Sequence, residues 1–251
     1  MNAGEMGFRG GYVVRGSFRR AGWLCGVGLG LWLAMPTARA DWLMLWHAEA
    51  GGRLSERWEV KVESEVKFRQ DMSEFYDSEI MPWVAYRFTP RFKLGAGWRQ
   101  LYGRQNEEWP APDPDTAARD HYWLVEQRPL LDFMTTVLPG PWTVDHRLRV
   151  EYRDVEYRNA YFRYRNRVRL RAPWSWTARE IKPWVAWEGY YEDDPGIPSG
   201  DRMNRHRFFV GLGADLREKL KAGAYYYVEE ALKSGDWSTN HEIGFDVTAV
   251  F

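Results

Sequence analysis

Five arginines, Arg163, Arg165, Arg167, Arg169 and Arg171, occupy every second position of one short segment. Guanidinium groups are planar, permanently charged and grip oxyanions bidentately, so such a row is equipped either to bind phosphate-like, sulfated or carboxylated solutes or to pair with carboxylates. Phe162, Tyr164, Val168, Leu170 and Ala172 take alternate positions. A period of two belongs to a β-strand, whose successive side chains point to opposite faces. The segment before adds Arg147, Arg149 and Arg153 with Asp145 and Glu151, and a later one adds Arg205 and Arg207. Carboxylates that could answer them are Glu59, Glu63, Glu65, Glu79, Glu126, Asp132, Glu151, Glu188, Asp215, Glu242 and Asp246.

Signals for bond-making chemistry are weak. His47, His121, His146, His206 and His241 lie on separate segments, and no pair has a metal-binding spacing. Ser175 or Ser199 with a distant histidine is a chance-level pattern. We therefore expect no catalytic residues, no metal and no cofactor. The alternative is a lipid hydrolase or deacylase with a Ser and His at an outer rim, for which His121 or His241 beside a long loop would serve.

The arginine row needs strands to carry it, and the chain supplies a series. In Trp58 to Arg69, Trp58, Val60, Val62, Val66 and Phe68 alternate with Glu59, Lys61, Glu63, Glu65, Lys67 and Arg69. Similar ribbons span 76–88, 92–102, 121–137, 142–153, 162–172, 181–191, 205–216, 219–228 and 241–251. A further candidate is 42–50. The last ribbon ends on Phe251, as the final strand of an outer-membrane barrel does when assembly machinery takes it up.

Connections near 89–91, 139–141 and 217–218 are tight, whereas 103–120, 192–204 and 230–240 read as long loops. With Phe251 in the periplasm, all three long loops fall outside, as barrel turns and loops do. The same count makes 42–50 run downward, at odds with a start in the periplasm. That segment then crosses the lumen, pairs unusually or lies beneath the barrel.

At the other end, Arg9, Arg15, Arg19 and Arg20 precede an uncharged run, and Ala38-Arg39-Ala40 offers small residues for a signal peptidase. Residues 1–40 are expected to be a cleaved secretory signal, 41–56 an N-terminal segment, and 57–251 an outer-membrane β-barrel. Cutting there removes Cys25, Glu5 and five arginines, so 35 basic and 35 acidic residues become 30 and 34. No stretch of the remainder is apolar for long enough to span as a helix. A closed barrel is the other structure that pairs every backbone group in lipid.

The fold expected is all-β: a single-domain antiparallel transmembrane barrel of about ten to twelve strands. Trp98, Tyr102, Trp142, Trp174, Trp176, Tyr190, Tyr191 and Tyr225 to Tyr227 are expected in interfacial girdles. Arginines facing lipid would cost about 2–4 kcal/mol each near the midplane, so the row must face the lumen. His146 and His206 then face outward. The leading expectation is a lumen held by ion pairs, with a narrow anion-preferring passage beside it; a closed structural or surface-interaction barrel is the alternative. Expected partners are outer-membrane lipids, the assembly machinery through Phe251 and small anionic solutes, with no nucleic acid.

The ribbon 58–69, the hairpin Tyr86 to Phe92 leading to Gly97-Trp98-Arg99, the segment Glu126-Gln127-Arg128-Pro129, and the run Arg147 to Arg153 resemble an uncharacterised bacterial outer-membrane family, domain of unknown function 2490. The resemblance implies a small Gram-negative outer-membrane barrel with no established activity. It also implies a lumenal charge network of Glu126, Arg128, Arg147, Arg149, Glu151 and Arg153. The five-arginine ladder is not part of it.

Overall fold

The computed structural model describes residues 42–69, 74–104, 123–138, 142–156, 159–175, 180–233 and 235–251. The expected signal segment, Cys25, His121 and Trp176 lie outside the described residues. Among the described residues, eleven strands follow one another: β1 (Trp42–Arg53), β2 (Trp58–Arg69), β3 (Glu74–Thr89), β4 (Phe92–Arg104), β5 (Trp123–Leu138), β6 (Thr143–Val155), β7 (Tyr161–Arg171), β8 (Lys182–Asp193), β9 (Arg205–Arg217), β10 (Leu220–Lys233) and β11 (Asp236–Val250). Each pairs with the next, and β1 returns to β11 to close a barrel. Closure satisfies the backbone groups that an edge strand would leave open. No helix among the described residues is long and apolar enough to cross a membrane.

The segment at 42–50 proves to be wall. Eleven strands alternating in direction leave the first and last running the same way, so the closing pair must be parallel. Trp42 stands opposite His241 and the register continues to Gly51 opposite Val250. All other neighbouring pairs are antiparallel. Of the three expected resolutions, unusual pairing is the one adopted. Trp42 and Phe251 end up at opposite rims.

A second correction concerns 230–240, expected to be a long loop. β10 and β11 continue through it, paired as far as Lys233 with Asp236, and turn at Gly235, whose φ is +92°. Polar residues at Glu230, Ser238 and Asn240 look like loop, yet they keep the alternation of a strand end that rises past its neighbours. The connection 194–204 leaves the same rim as the end of β4 and the start of β5, here called the long-loop rim. The opposite rim carries Phe251 and the tight turns at 90–91 and 218–219, but also the ten-residue connection 172–181.

The pleat sorts side chains by polarity. Val62, Ile80, Val84, Leu131, Val168, Val185 and Val210 are exposed on the outer face. Aromatic rings cluster outside near both rims. Tyr102 stacks on Trp123 at 4.7 Å by the long-loop rim, and Trp58 meets Tyr86 at 5.0 Å by the Phe251 rim. The buried interior instead contains Asp132, Arg149, Glu126, Glu151 and Arg153. Two apolar clusters interrupt it on β3 to β5: Met81, Trp83, Ala85 and Leu130, and Leu101 with Leu124. The polarity is the reverse of a water-soluble barrel. Three residues expected in the girdles, Tyr190, Tyr225 and Tyr227, point inward instead, because they share the parity of Glu188 and Glu229 on their strands.

Candidate functional site: the charged lumen

All five arginines of β7 line an internal cavity of about 1840 Å³. Strand alternation puts them there, and neighbouring strands decide what each one meets. Glu151 of β6 stands opposite Arg163, Arg149 opposite Arg165, Arg147 opposite Arg167 and Asp145 opposite Arg169. On the other side Glu192 faces Arg163, Tyr190 faces Arg165 and Glu188 faces Arg167.

Toward the long-loop rim these groups form a chain of alternating charge. Glu126 accepts from Arg128 Nη2 at 2.6 Å and from Arg153 Nη2 at 2.8 Å. Arg153 Nη1 reaches Glu192 at 3.2 Å. Glu192 is 3.7 Å from Arg163, whose Nε donates to Glu151 at 2.7 Å. Arg165 bridges Glu151 at 3.1 Å and Glu188 at 3.1 Å. Beside the chain, Arg149 and Asp132 form a two-bond pair at 2.7 and 2.8 Å, with Trp83 Nε1 also donating to Asp132. Glu126 and Glu151 are 0% exposed. Charges so buried persist only when paired and hydrogen-bonded, and nearly every oxygen here is engaged.

Tyr190 is one of the three tyrosines expected in a girdle that point inward. Its ring lies 5.0–5.6 Å from the guanidinium carbons of Arg163, Arg165, Arg205 and Arg207, and its hydroxyl donates to Glu188 at 2.9 Å. A ring face attracts cations, so Tyr190 serves as a hub where carboxylates alone would be too few. The signal that could have located it was its parity with Glu188 and Glu192.

Toward the Phe251 rim the pairing thins out. Arg147 shares Glu188 with Arg165, at 2.9 Å, and the buried Nε of each has no hydrogen-bond partner among the described residues. Arg169 and Arg171 share Asp145, at 3.4 and 2.7 Å, with side chains 37% and 47% exposed. Arg167 makes no ion pair among the described residues; its guanidinium lies 5.3 Å from the ring centre of Phe209. This part of the lumen is more open to solvent, and its arginines outnumber the carboxylates that pair with them, although Asp246 of β11 also lines the cavity.

Glu63 and Glu65 do not join the arginine chain. They line the opposite wall, where Glu63 meets Lys61 and His47, and Glu65 lies 3.2 Å from Lys67. Of the carried-over network, Glu126, Arg128, Arg149, Glu151 and Arg153 belong to the buried group, whereas Arg147 sits at its edge. His146 and His206 face outward as expected, His146 bonded to Asn166 at 2.9 Å and His206 stacked between Trp187 and Trp237. His241 also faces outward, against Trp42 and Tyr226, and bonds the Tyr226 hydroxyl. Phe251 lies beyond β11 at the seam, its N–H donating to the Gly51 carbonyl at 3.0 Å.

Fold and site together define a class: a closed β-barrel with a charged, ion-paired interior and an apolar, aromatic exterior. The chain matches the family model described as "Protein of unknown function (DUF2490)" over residues 42–240, from the first strand to the start of the last, and belongs to that family. No curated protein matches it at a significant level.

Proposed function

We propose that the chain is a bacterial outer-membrane barrel whose lumen is a narrow, anion-preferring passage braced by ion pairs. The observation that carries the reading is the inverted polarity. An exterior banded by aliphatic side chains and edged by rings suits a bilayer and its interfaces, while cavity-lining residues extend from Arg69 and Ile197 near one rim to Arg91 and Lys221 at the other. Basic side chains outnumber acidic ones along that lining, which favours anions. In this placement Phe251 marks the periplasmic side, is offered to the assembly machinery, and the under-paired arginines open toward the periplasm. The outer belts would meet outer-membrane lipid, and the cleaved signal would deliver the chain there. The reading assigns no enzymatic role.

Planar-bilayer recording of refolded protein tests it. Anion-selective conductance steps are expected, with the preference lost or reversed when Arg167 and Arg169 are both replaced by Glu. Absence of any conductance from protein that migrates as a folded, heat-modifiable band would overturn the passage.

A further inference from the structure

The under-paired arginines are not the only groups lining the lumen near the Phe251 rim. On the adjoining wall Trp184 of β8, Phe209 of β9 and Tyr225 of β10 also point inward. Their ring centres are 6.4 Å apart for Trp184 and Phe209, 6.0 Å for Trp184 and Tyr225, and 6.3 Å for Phe209 and Tyr225. Two of these rings lie against the wall because of what is beneath them. A Cβ at Gly211 would come within 2.5 Å of the Trp184 indole, and one at Gly244 within 2.1 Å of Tyr225. With glycine there, the rings fold down over the sheet and leave the lumen free above them.

We propose that this half of the lumen is a binding site for an organic oxyanion carried on a ring, such as a sugar phosphate or an aryl phosphate. Arg147 and Arg167 stand directly opposite each other on β6 and β7, with Arg169 next along β7. Like charges at that spacing repel, and Glu188, the carboxylate opposite Arg167 on β8, spends its oxygens on Arg147, Arg165 and the Tyr190 hydroxyl. A phosphate group placed there completes the pairing that β6 to β8 leave unmet, by bidentate contacts guanidinium favours. The ring bonded to that phosphate then falls on Trp184 and Tyr225, beside the Phe209 ring that Arg167 covers, and such faces stack on planar or sugar rings alike. An inorganic anion would use only half of the site.

The site rests on the reading of a solvent-accessible charged lumen, but binding is measured without reference to conduction. Isothermal titration of the detergent-folded full barrel with phenyl phosphate, glucose 6-phosphate and inorganic phosphate provides the test. At least one ring phosphate is expected to bind saturably and about tenfold more tightly than inorganic phosphate; which one does so identifies the ring. Arg167→Gln with Arg169→Gln is expected to weaken ring and inorganic phosphates by at least tenfold. Trp184→Ala should weaken the ring phosphate alone, and Trp46→Ala, on the outer face, should change neither. Equal affinity for all three ligands, or no saturable binding, overturns the proposal, and this comparison needs only the wild-type barrel. A barrel that binds without conducting overturns the passage and leaves the site standing; one that conducts without saturable binding does the reverse.

Discussion

One strand carries the same residue five times, and the two ends of that strand behave as different materials. Arg163 and Arg165 are buried in a lattice of Glu151, Glu188, Glu192 and Tyr190. Arg167, Arg169 and Arg171, a few ångströms along, share Asp145 or have no carboxylate partner among the described residues. Because the arginines are alike, the difference lies in what β6 and β8 present to them: Glu151 and Glu192 flank Arg163, whereas Thr143 and Trp184 flank Arg171. Guanidinium is a brace where carboxylates of both neighbouring strands reach it, as Glu151 and Glu188 reach Arg165, and stays open to the lumen where they do not. Net charge of the whole lumen therefore says less about selectivity than the local excess does.

The largest test of that division is to break the brace. Glu151→Gln would leave Arg163 and Arg165 without their shared carboxylate at a place where all three side chains are buried. Removing one partner of a buried pair costs about 3–5 kcal/mol, so the variant should unfold at markedly lower temperature, or fail to give the compact band on unheated gels. Thermal melting followed by far-ultraviolet circular dichroism in detergent reads the effect. A melting point within a degree or two of wild type would mean the lattice is decoration. Asp145→Asn, the matching change in the open half, removes a pair with solvent-exposed arginines, and such pairs contribute about 0–1 kcal/mol.

Next in size is the contrast within the ladder itself. Arg165→Met breaks bonds to two buried carboxylates and should destabilise by about 3–5 kcal/mol, the cost of removing one partner of a buried pair, whereas Arg167→Met should not. For Arg167, relief of repulsion from Arg147, worth up to about 1 kcal/mol for directly opposed like charges, offsets the lost contact with Phe209. Stability of Arg167→Met is thus expected to match or slightly exceed that of wild type in urea titrations. A loss as large as that of Arg165→Met would erase the distinction between the two halves.

The division was only partly legible in the sequence. Period two placed all five arginines, Glu126, Glu151 and Glu188 on one face, and the alternation of strands and turns pointed to a barrel of the right size. Period two cannot say which carboxylate on a neighbouring strand lands beside which arginine, since that depends on register. Register in turn depends on turns that the composition blurred: Glu230, Ser238 and Asn240 resembled loop residues, and the true turn at Gly235 moved the end of β10 by five residues. The parallel closure of β1 on β11 was hidden for a related reason. A strand alternates in the same way whether its neighbour runs with it or against it, so only the odd count betrayed the seam. Tyr190, Tyr225 and Tyr227 were drawn to the girdles by residue type although their parity pointed inward.

The smallest effect sharpens the comparison most, because it separates function from stability. Arg171 lies nearest the Phe251 rim, with a side chain 47% exposed and its charge shared with Asp145 at 2.7 Å. Arg171→Gln should shift the melting point by no more than a degree or two, as the loss of an exposed pair implies. Yet the group stands at the mouth of the under-paired half, where a fixed charge acts on ions within a Debye length of about 10 Å at 0.1 M salt. The reversal potential under a salt gradient should therefore move measurably toward zero at 0.1 M salt, and the shift should shrink at 1 M, where that length falls to about 3 Å. A shift that persisted at high salt would point to a change in the shape of the mouth and not in its charge, and would place Arg171 with the braces after all.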